Sequence, residues 1–169
     1  MSETLNWSDS YDALEVGQTF STRARTITEA DVVGFANLTG DRHPQHTDAQ
    51  WSAAGPFGER IAHGMLVISF AAGLVTFDPD RVVALRRVAD AVFKRPVRFG
   101  DTLSVSGRVA DLKLVSDEAG LVTFTWNVIN QDDKNVCRAK VEVLWSREAV
   151  SEPADPLSVD ENGFVPIPL

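Results

Sequence analysis

The chain has 169 residues, of which 44% are hydrophobic and 24% are charged, and this is the size and composition of one globular domain. Its formal net charge of −8 argues against duplex nucleic acid or an anionic membrane as a partner, because both would repel an acidic surface. The single cysteine excludes an intramolecular disulfide and a cysteine metal cluster.

The N-terminal part of the chain predicts a loose segment, then a strand, then a helix. Residues 1–10 are polar and lack the basic and apolar regions of a signal peptide, so we expect a cytoplasmic protein. Residues 18–26 alternate between side chains that suit a core and side chains that suit water, which is typical of a half-buried strand. Thr28 and Asp31 have the spacing of a capping box, and Gly40 is a helix stop, so a helix is expected between them.

The middle of the chain predicts a long loop followed by a buried helix. Residues 41–64 are rich in turn formers, with a short helix expected at residues 47–54. Residues 65–75 are apolar nearly all round, so we expect a helix that is buried on every side. The apolar run is too short to cross a bilayer.

The rest of the chain predicts an antiparallel sheet. Four segments are expected to be strands: residues 85–94, which end at Arg95-Pro96, and three alternating segments at residues 102–112, 121–130 and 135–145. Cys137 falls in the last of them and is expected to be a small buried hydrophobe. Residues 11–147 should therefore form a single α+β domain, in which the sheet curls around the apolar helix. An acidic, proline-containing tail is expected at residues 148–169.

All three histidines of the chain, His43, His46 and His63, lie in one short stretch. Histidine titrates near neutral pH, and Asp41 is close in sequence, so the stretch predicts an acid–base site on a loop. Structural alternatives stay open: Asp41 fits a turn residue, His46 fits a backbone cap, and His63 fits a ring-to-backbone bond. Asp48 fits a helix N-cap better than a catalytic group. A metal site is a further alternative, but the spacing of these residues does not favour it.

Three segments carry a resemblance to a known family: residues 35–48 (FANLTGDRHPQHTD), residues 57–66 (FGERIAHGML) with Ser69, and residues 93–102 (FKRPVRFGDT). They are similar to the MaoC-like family of (R)-specific 2-enoyl-CoA hydratases and 3-hydroxyacyl-thioester dehydratases. The resemblance covers roughly residues 11–146. It implies the hot-dog fold, a homodimer or larger even-numbered oligomer, and a lyase of fatty acid metabolism. It also implies an acyl-CoA or acyl-carrier thioester substrate, with CoA or phosphopantetheine as part of that substrate and with no separate cofactor or metal.

The same resemblance implies that Asp41 and His46 hold a catalytic water molecule. Hydration of an enoyl thioester needs a base for water, an acid for the α-carbon and donors for the enolate-like oxygen. Gly64, at the start of the apolar helix, is our candidate donor to that oxygen through its backbone N–H. Ser69 matches a family serine near the catalytic aspartate, but it also fits a bond to a carbonyl one turn earlier. The residues expected to support the catalytic pair are His43, His63 and Ser69.

Lys94, Arg95 and Arg98 belong to the densest basic cluster of this acidic chain. One interpretation is a patch for the phosphates of CoA or of a phosphopantetheine carrier. The alternative is the solvated face of a strand.

Two residues depart from the family pattern, and both lie beside the expected catalytic pair. His43 stands where asparagine is usual, and Gln45 stands where a leucine-like residue is usual. These changes favour a polar, branched or carboxylated acyl group over a simple aliphatic one. Two other functions remain open: thioester hydrolysis, and a non-catalytic hot-dog subunit that binds acyl thioesters or pairs with a catalytic subunit.

Overall fold

The computed structural model of the protein describes residues 3–147. A short 3₁₀ turn at Tyr11–Ala13 precedes the first strand. The helices are α1 (Glu29–Thr39), α2 (Pro44–Thr47), α3 (Ala49–Ala53) and α4 (Gly64–Leu74). The strands are β1 (Thr19–Ser21), β2 (Arg25–Thr26), β3 (Val82–Phe93), β4 (Thr102–Leu114), β5 (Ala119–Ile129) and β6 (Asn135–Ser146).

The strands form one antiparallel sheet in the order β1-β4-β5-β6-β3, and β2 also pairs with β4. Strand β3 is therefore an edge, and its pairing with β6 shifts register at three points. Such irregularities bend a strand and increase its twist. The α+β class with an antiparallel sheet is confirmed. The order of elements agrees with the sequence pattern, except that the strand expected at residues 18–26 is divided into β1 and β2 and that α2 precedes the short helix expected at residues 47–54.

Helix α1 begins and ends where its sequence signals predicted. The Thr28 hydroxyl accepts the Asp31 N–H at 3.2 Å, and the Asp31 carboxylate accepts the Thr28 N–H at 2.8 Å. This reciprocal capping box satisfies two N–H groups that the helix leaves without partners. Gly40 has φ +77°, a left-handed conformation that favours glycine, and it ends the helix directly before Asp41.

Helix α4 packs one side against the sheet and leaves the other side open in the single chain. The side chains of Leu66, Val67 and Ala71 are at most 3% exposed. Met65 is 59% exposed, and Ser69 is also exposed. Burial on every side, which the apolar sequence predicted, is therefore wrong for one chain, because one curled sheet covers only one side of the helix.

The first residues of the described chain pack into the core, although their polar composition predicted a loose segment. Leu5 is only 4% exposed, and Thr4 forms a parallel bridge with Thr19. The Trp7 ring stacks on Trp145 with 5.8 Å between ring centroids, and it also contacts Phe20. Two apolar anchors therefore order a segment whose average polarity suggested otherwise. The predicted tail at residues 148–169 lies outside the described residues.

Cys137 is fully buried, as the strand pattern predicted, and burial raises the pKa of its thiol. Among the described residues, the helices are all too short or too polar to cross a membrane.

Candidate active site

The residues predicted to act together converge at the N-terminal end of helix α4. Asp41 follows Gly40 at the end of α1, and His46 lies in the last turn of α2. The His43 ring accepts the Gln45 N–H at 3.2 Å through Nδ1, so the imidazole caps α2 from outside. Pro44 holds the first helical position, where its missing N–H costs nothing. The short helix thereby turns His46 inward, and only 4% of this residue is exposed.

His46 is fixed in one orientation by the backbone of Ile61. The Nδ1 atom of His46 lies 2.7 Å from the Ile61 carbonyl oxygen, and the Ile61 N–H donates to the Gln45 carbonyl at 3.1 Å. A carbonyl can only accept, so Nδ1 carries the hydrogen and Nε2 of the neutral ring carries the lone pair. The side-chain nitrogen of Gln45 lies 3.1 Å from this Nε2 atom and donates to it.

His63 supports both members of the predicted pair. Its Nε2 atom donates to the backbone carbonyl of Asp41 at 3.0 Å, which fixes the loop after α1. Its ring stacks on His46 with 3.8 Å between centroids and an angle of 27°. His63 is 2% exposed, and its Nδ1 atom makes no hydrogen bond to any described residue. His63 therefore makes the ring-to-backbone bond that its sequence position suggested.

Asp41, His46 and His63 each have one side-chain oxygen or nitrogen atom that is able to bind a metal or a water, and these three atoms lie within 4.8 Å of one another. One water molecule can bridge two polar groups at such a separation. The trio also has the residue types of a metal site, and its three ligands are the number found in open catalytic sites, one fewer than in closed structural sites. His46 Nε2 already accepts a hydrogen bond from Gln45. The arrangement suits a water-binding acid–base pair, and the bond from Gln45 must open before either a water or a metal can use this nitrogen fully.

Burial favours the neutral form of His46. Burial lowers the pKa of His46 below its ordinary value, and the neighbouring His63 lowers it further, while the Ile61 carbonyl and Asp41 act in the opposite direction. At neutral pH the ring can therefore accept a proton through Nε2.

A cavity of about 330 Å³ opens beside His46, and Asp41 is not among the residues that line it. His46, Gly64, Phe93, Lys94 and Arg95 are among the residues that line it. Gly64 is the first residue of α4, so its N–H has no acceptor inside the helix. A Cβ atom at Gly64 would lie only 2.8 Å from the Phe93 ring, so any side chain larger than that of glycine would require this ring to move.

Not every predicted residue faces the cavity. Arg98 is absent from its lining and pairs with Glu59 at 2.5 Å instead. The exposed Ser69 hydroxyl donates to the Met65 carbonyl at 2.8 Å, which is the bond to the preceding turn that its sequence position also allowed. Asp48 accepts the Trp51 N–H at 2.9 Å and caps α3, as its position favoured.

Sequence reasoning missed two contributors to the site, the Ile61 carbonyl and the Phe93 ring. Every residue type has the same backbone carbonyl, so the sequence could not show that the Ile61 carbonyl orients His46. Phe93 belongs to β3, far along the chain from the histidines, and a long-range contact of this kind has no local signal.

The chain is similar to several characterised proteins. A family model described as "MaoC like domain" matches residues 12–131. The chain is 34% identical over 161 residues to a 3-hydroxybutyryl-CoA dehydratase of Methylorubrum extorquens, and the match spans 90% of this chain and 92% of that protein.

Several solved structures have the same fold as this chain. An unliganded (R)-hydratase from Pseudomonas aeruginosa superposes with a TM-score of 0.68 at 34% identity, covering 95% of this chain and 96% of that one. A Mycobacterium tuberculosis protein with a double hot-dog fold superposes with a TM-score of 0.74 at 24% identity, covering 90% of this chain and 49% of that one. The predicted hot-dog fold is therefore confirmed.

Proposed function

The chain belongs to the MaoC-like family of hydratases and dehydratases, and we propose that it adds water reversibly to a 2-enoyl thioester, giving an (R)-3-hydroxyacyl thioester. The observation that carries this proposal is the short distance between Asp41 and His46: a carboxylate oxygen of Asp41 and a ring nitrogen of His46 lie within 4.8 Å of each other. A buried neutral imidazole beside a carboxylate can bind and activate one water molecule.

In the proposed reaction, His46 Nε2 takes a proton from the water while the water oxygen bonds to the β-carbon of the substrate. The electron pair of the double bond moves toward the thioester carbonyl, which becomes enolate-like. The imidazolium then returns the proton to the α-carbon, so the product gains one OH and one H and no net proton is consumed. Asp41 accepts the second hydrogen of the water and stabilises the transient positive charge on His46.

The N-terminus of α4 supplies the place for the thioester oxygen. The unpaired N–H of Gly64 and the positive end of the helix dipole both favour developing negative charge there. The relatives named above act on CoA thioesters or are called hydratases, which supports an acyl-CoA or acyl-carrier thioester as substrate. Lys94 and Arg95 line the same cavity and suit the phosphates of such a carrier.

We further propose that the protein works as a dimer or larger even-numbered oligomer, formed through the edge strand β3. Apolar side chains on this strand are exposed in the single chain, including Leu85 at 53%, Val88 at 41% and Phe93 at 49%. Exposed apolar residues on an unpaired edge favour addition of a second strand. Phe93 also lines the cavity, so pairing along β3 would complete the site.

The dimer is tested by light scattering coupled to gel filtration. Val88→Glu should shift the protein toward monomer and lower its activity. Val16→Glu is the matched control, because Val16 is already 62% exposed and lies outside β3. A wild-type monomer with full activity would contradict this assembly.

The reaction is tested by the loss of enoyl-thioester absorbance with crotonyl-CoA and longer enoyl-CoAs. We expect Asp41→Asn and His46→Gln each to reduce kcat by about 10²- to 10⁴-fold, the usual contribution of a positioned acid or base. Asp132→Asn is the matched control, because it removes one exposed carboxylate from the β5–β6 turn. Release of free thiol would favour thioester hydrolysis instead, and an unchanged absorbance with every substrate would favour a non-catalytic subunit.

A further inference from the structure

The Gln45 side chain donates a hydrogen bond to His46 Nε2, the nitrogen whose lone pair the proposed reaction requires. The Ile61 carbonyl fixes the hydrogen of His46 on Nδ1, so the Gln45 side chain must present its NH₂ group to Nε2, 3.1 Å away. In the free protein, the atom that would accept a proton from water is therefore already hydrogen-bonded to an amide. A bound water can use this atom fully only when the Gln45 side chain moves aside.

The side chain of Gln45 is free to make this movement, but its backbone is not. The Gln45 N–H donates to His43 Nδ1 at 3.2 Å, and its carbonyl accepts the Ile61 N–H at 3.1 Å. The side chain is half-buried and lines the same cavity as His46 and Gly64. Rotation about its side-chain torsions would therefore carry the amide along the cavity wall without disturbing α2.

The cavity wall indicates what would draw the amide away. Its polar side chains are Gln45, His46, Lys94 and Arg95, and the lining residues that the structure describes include no carboxylate. Lys94 and Arg95 are assigned to the phosphates of the carrier, so the Gln45 amide is the donor left for the acyl group, and no side-chain anion of the lining would repel a carboxylate there. Eight of the lining residues are apolar and suit the carbon chain of an acyl group, and the amide adds a place for a polar end group that is rich in acceptor atoms and negatively charged.

We propose that Gln45 is a specificity-determining residue, whose amide leaves His46 to donate a hydrogen bond to a carboxylate on the acyl group of the substrate. This inference rests on the proposed function, since it concerns the acyl group of an enoyl thioester bound in that cavity. Substrate binding and exposure of the His46 lone pair then become one event. A plain enoyl chain has no acceptor to offer, so the amide stays on His46 and competes with water.

The first test measures selectivity by binding, so that it does not depend on turnover. Glutaryl-CoA and pentanoyl-CoA have acyl chains of equal carbon number, and neither can be hydrated. Wild type should bind glutaryl-CoA more tightly in calorimetry, and Gln45→Leu should reduce that preference by about tenfold to a hundredfold, the value of a hydrogen bond to a charged group. Gln45→Glu should reduce it at least as much, because a carboxylate cannot donate. Gln50→Leu is the matched control, since Gln50 is an exposed glutamine of α3.

The second test measures the hydrogen bond itself. The pKa of His46 is followed by NMR titration of its ring signals, which His46→Gln identifies by their loss. An amide donor favours the neutral ring, so Gln45→Leu should raise this pKa and Gln50→Leu should leave it unchanged. The other titratable groups that face His46 are Asp41, His43 and His63, and they are the same in both variants.

The third test uses turnover, with 2-pentenoyl-CoA and its carboxylated counterpart glutaconyl-CoA. Gln45→Leu should lower kcat/KM for glutaconyl-CoA by about tenfold or more and leave or raise the value for 2-pentenoyl-CoA. An unchanged binding preference, or an unchanged pKa of His46 in Gln45→Leu, would overturn the inference. A wild-type protein that hydrates neither substrate would contradict the proposed function, and the binding and NMR results would still decide the role of Gln45.

Discussion

Substitution of Gly64 by alanine tests the place proposed for the thioester oxygen. The added methyl would lie 2.8–2.9 Å from three carbon atoms of the Phe93 ring. Carbon atoms pack without repulsion at about 3.5 Å, so the ring must recede by about 0.7 Å or more. Phe93 is 49% exposed in the single chain, and leaving its preferred rotamer costs roughly 0.5–1.5 kcal/mol. Alanine regains at most about 1 kcal/mol as a better helix former, because Gly64 is the first helical residue, so the net loss of stability should be no more than about 1.5 kcal/mol.

The effect of Gly64→Ala on catalysis should be much larger than its effect on folding. The methyl enters the cavity beside the N–H that is proposed to bind the thioester oxygen, and a displacement near 1 Å costs about 10²-fold in rate. We therefore expect a fall of about 10²-fold in kcat, measured by enoyl-thioester absorbance, with nearly unchanged thermal unfolding.

Gly34→Ala is the control for this prediction, because Gly34 lies on the exposed face of α1, outside the cavity lining, and its added Cβ would meet nothing within 4 Å. It should stabilise the helix slightly and keep full activity. The double variant Gly64→Ala/Phe93→Ala should relieve the contact and still turn over slowly, because the methyl remains in the cavity. Normal kcat in the single variant would refute the placement of the oxygen at Gly64.

The pH dependence of the reaction should report His46. Its pKa in the folded protein lies below the ordinary 6.5, so kcat/KM should be level at neutral pH and should fall as the pH drops through that lowered value. The free energy of unfolding should also decrease as the pH falls, because the unfolded chain binds a proton on His46 more readily. This contribution is fully present above pH 6.5 and is lost as the pH falls through the pKa of the folded protein. A rate that declines from alkaline pH down to neutrality would contradict a neutral His46. Dialysis against a chelator should leave activity unchanged, whereas excess Zn²⁺ should inhibit by binding Asp41, His46 and His63, whose donor atoms lie within 4.8 Å of one another. Loss of activity on chelation, restored by a divalent ion, would turn the same trio into a metal site.

Local signals in the sequence predicted much of the fold. The capping box of Thr28 and Asp31 and the left-handed Gly40 depend on neighbours within a few residues, and both form as expected. The strands were visible because the alternation of side chains reflects one buried face, as in β5, where residues such as Val122 and Phe124 point inward.

Features that depend on distant contacts could not be predicted. Trp7 packs against Trp145, and the residues near Trp7 in the sequence give no indication of this contact. The apolar sequence of α4 indicated burial but not that one side would stay open in a single chain, which a neighbouring subunit would explain. The composition of a helix indicates how much apolar surface it must bury, but the elements that cover this surface are known only from the topology.

The same limit applies to the candidate site. The sequence placed Asp41, His46 and Gly64 in one region through the family resemblance, and the structure brings Asp41 and His46 within reach of one water molecule. The direction of proton transfer could not be inferred from sequence, because it depends on which nitrogen of His46 faces the Ile61 carbonyl. The bond between Gln45 and His46 was equally hidden, although the unusual glutamine marked the position.

The central claim is that this site adds water across the double bond of an enoyl thioester through His46 and Asp41. The most direct measurement is mass spectrometry of the products formed from crotonyl-CoA in ¹⁸O-labelled water, with wild type, Asp41→Asn and His46→Gln. We predict a labelled 3-hydroxyacyl-CoA from wild type, intact as a thioester, and almost none from either variant. Label in a free carboxylic acid together with released CoA, or labelled hydroxyacyl-CoA formed equally by the variants, would contradict the claim.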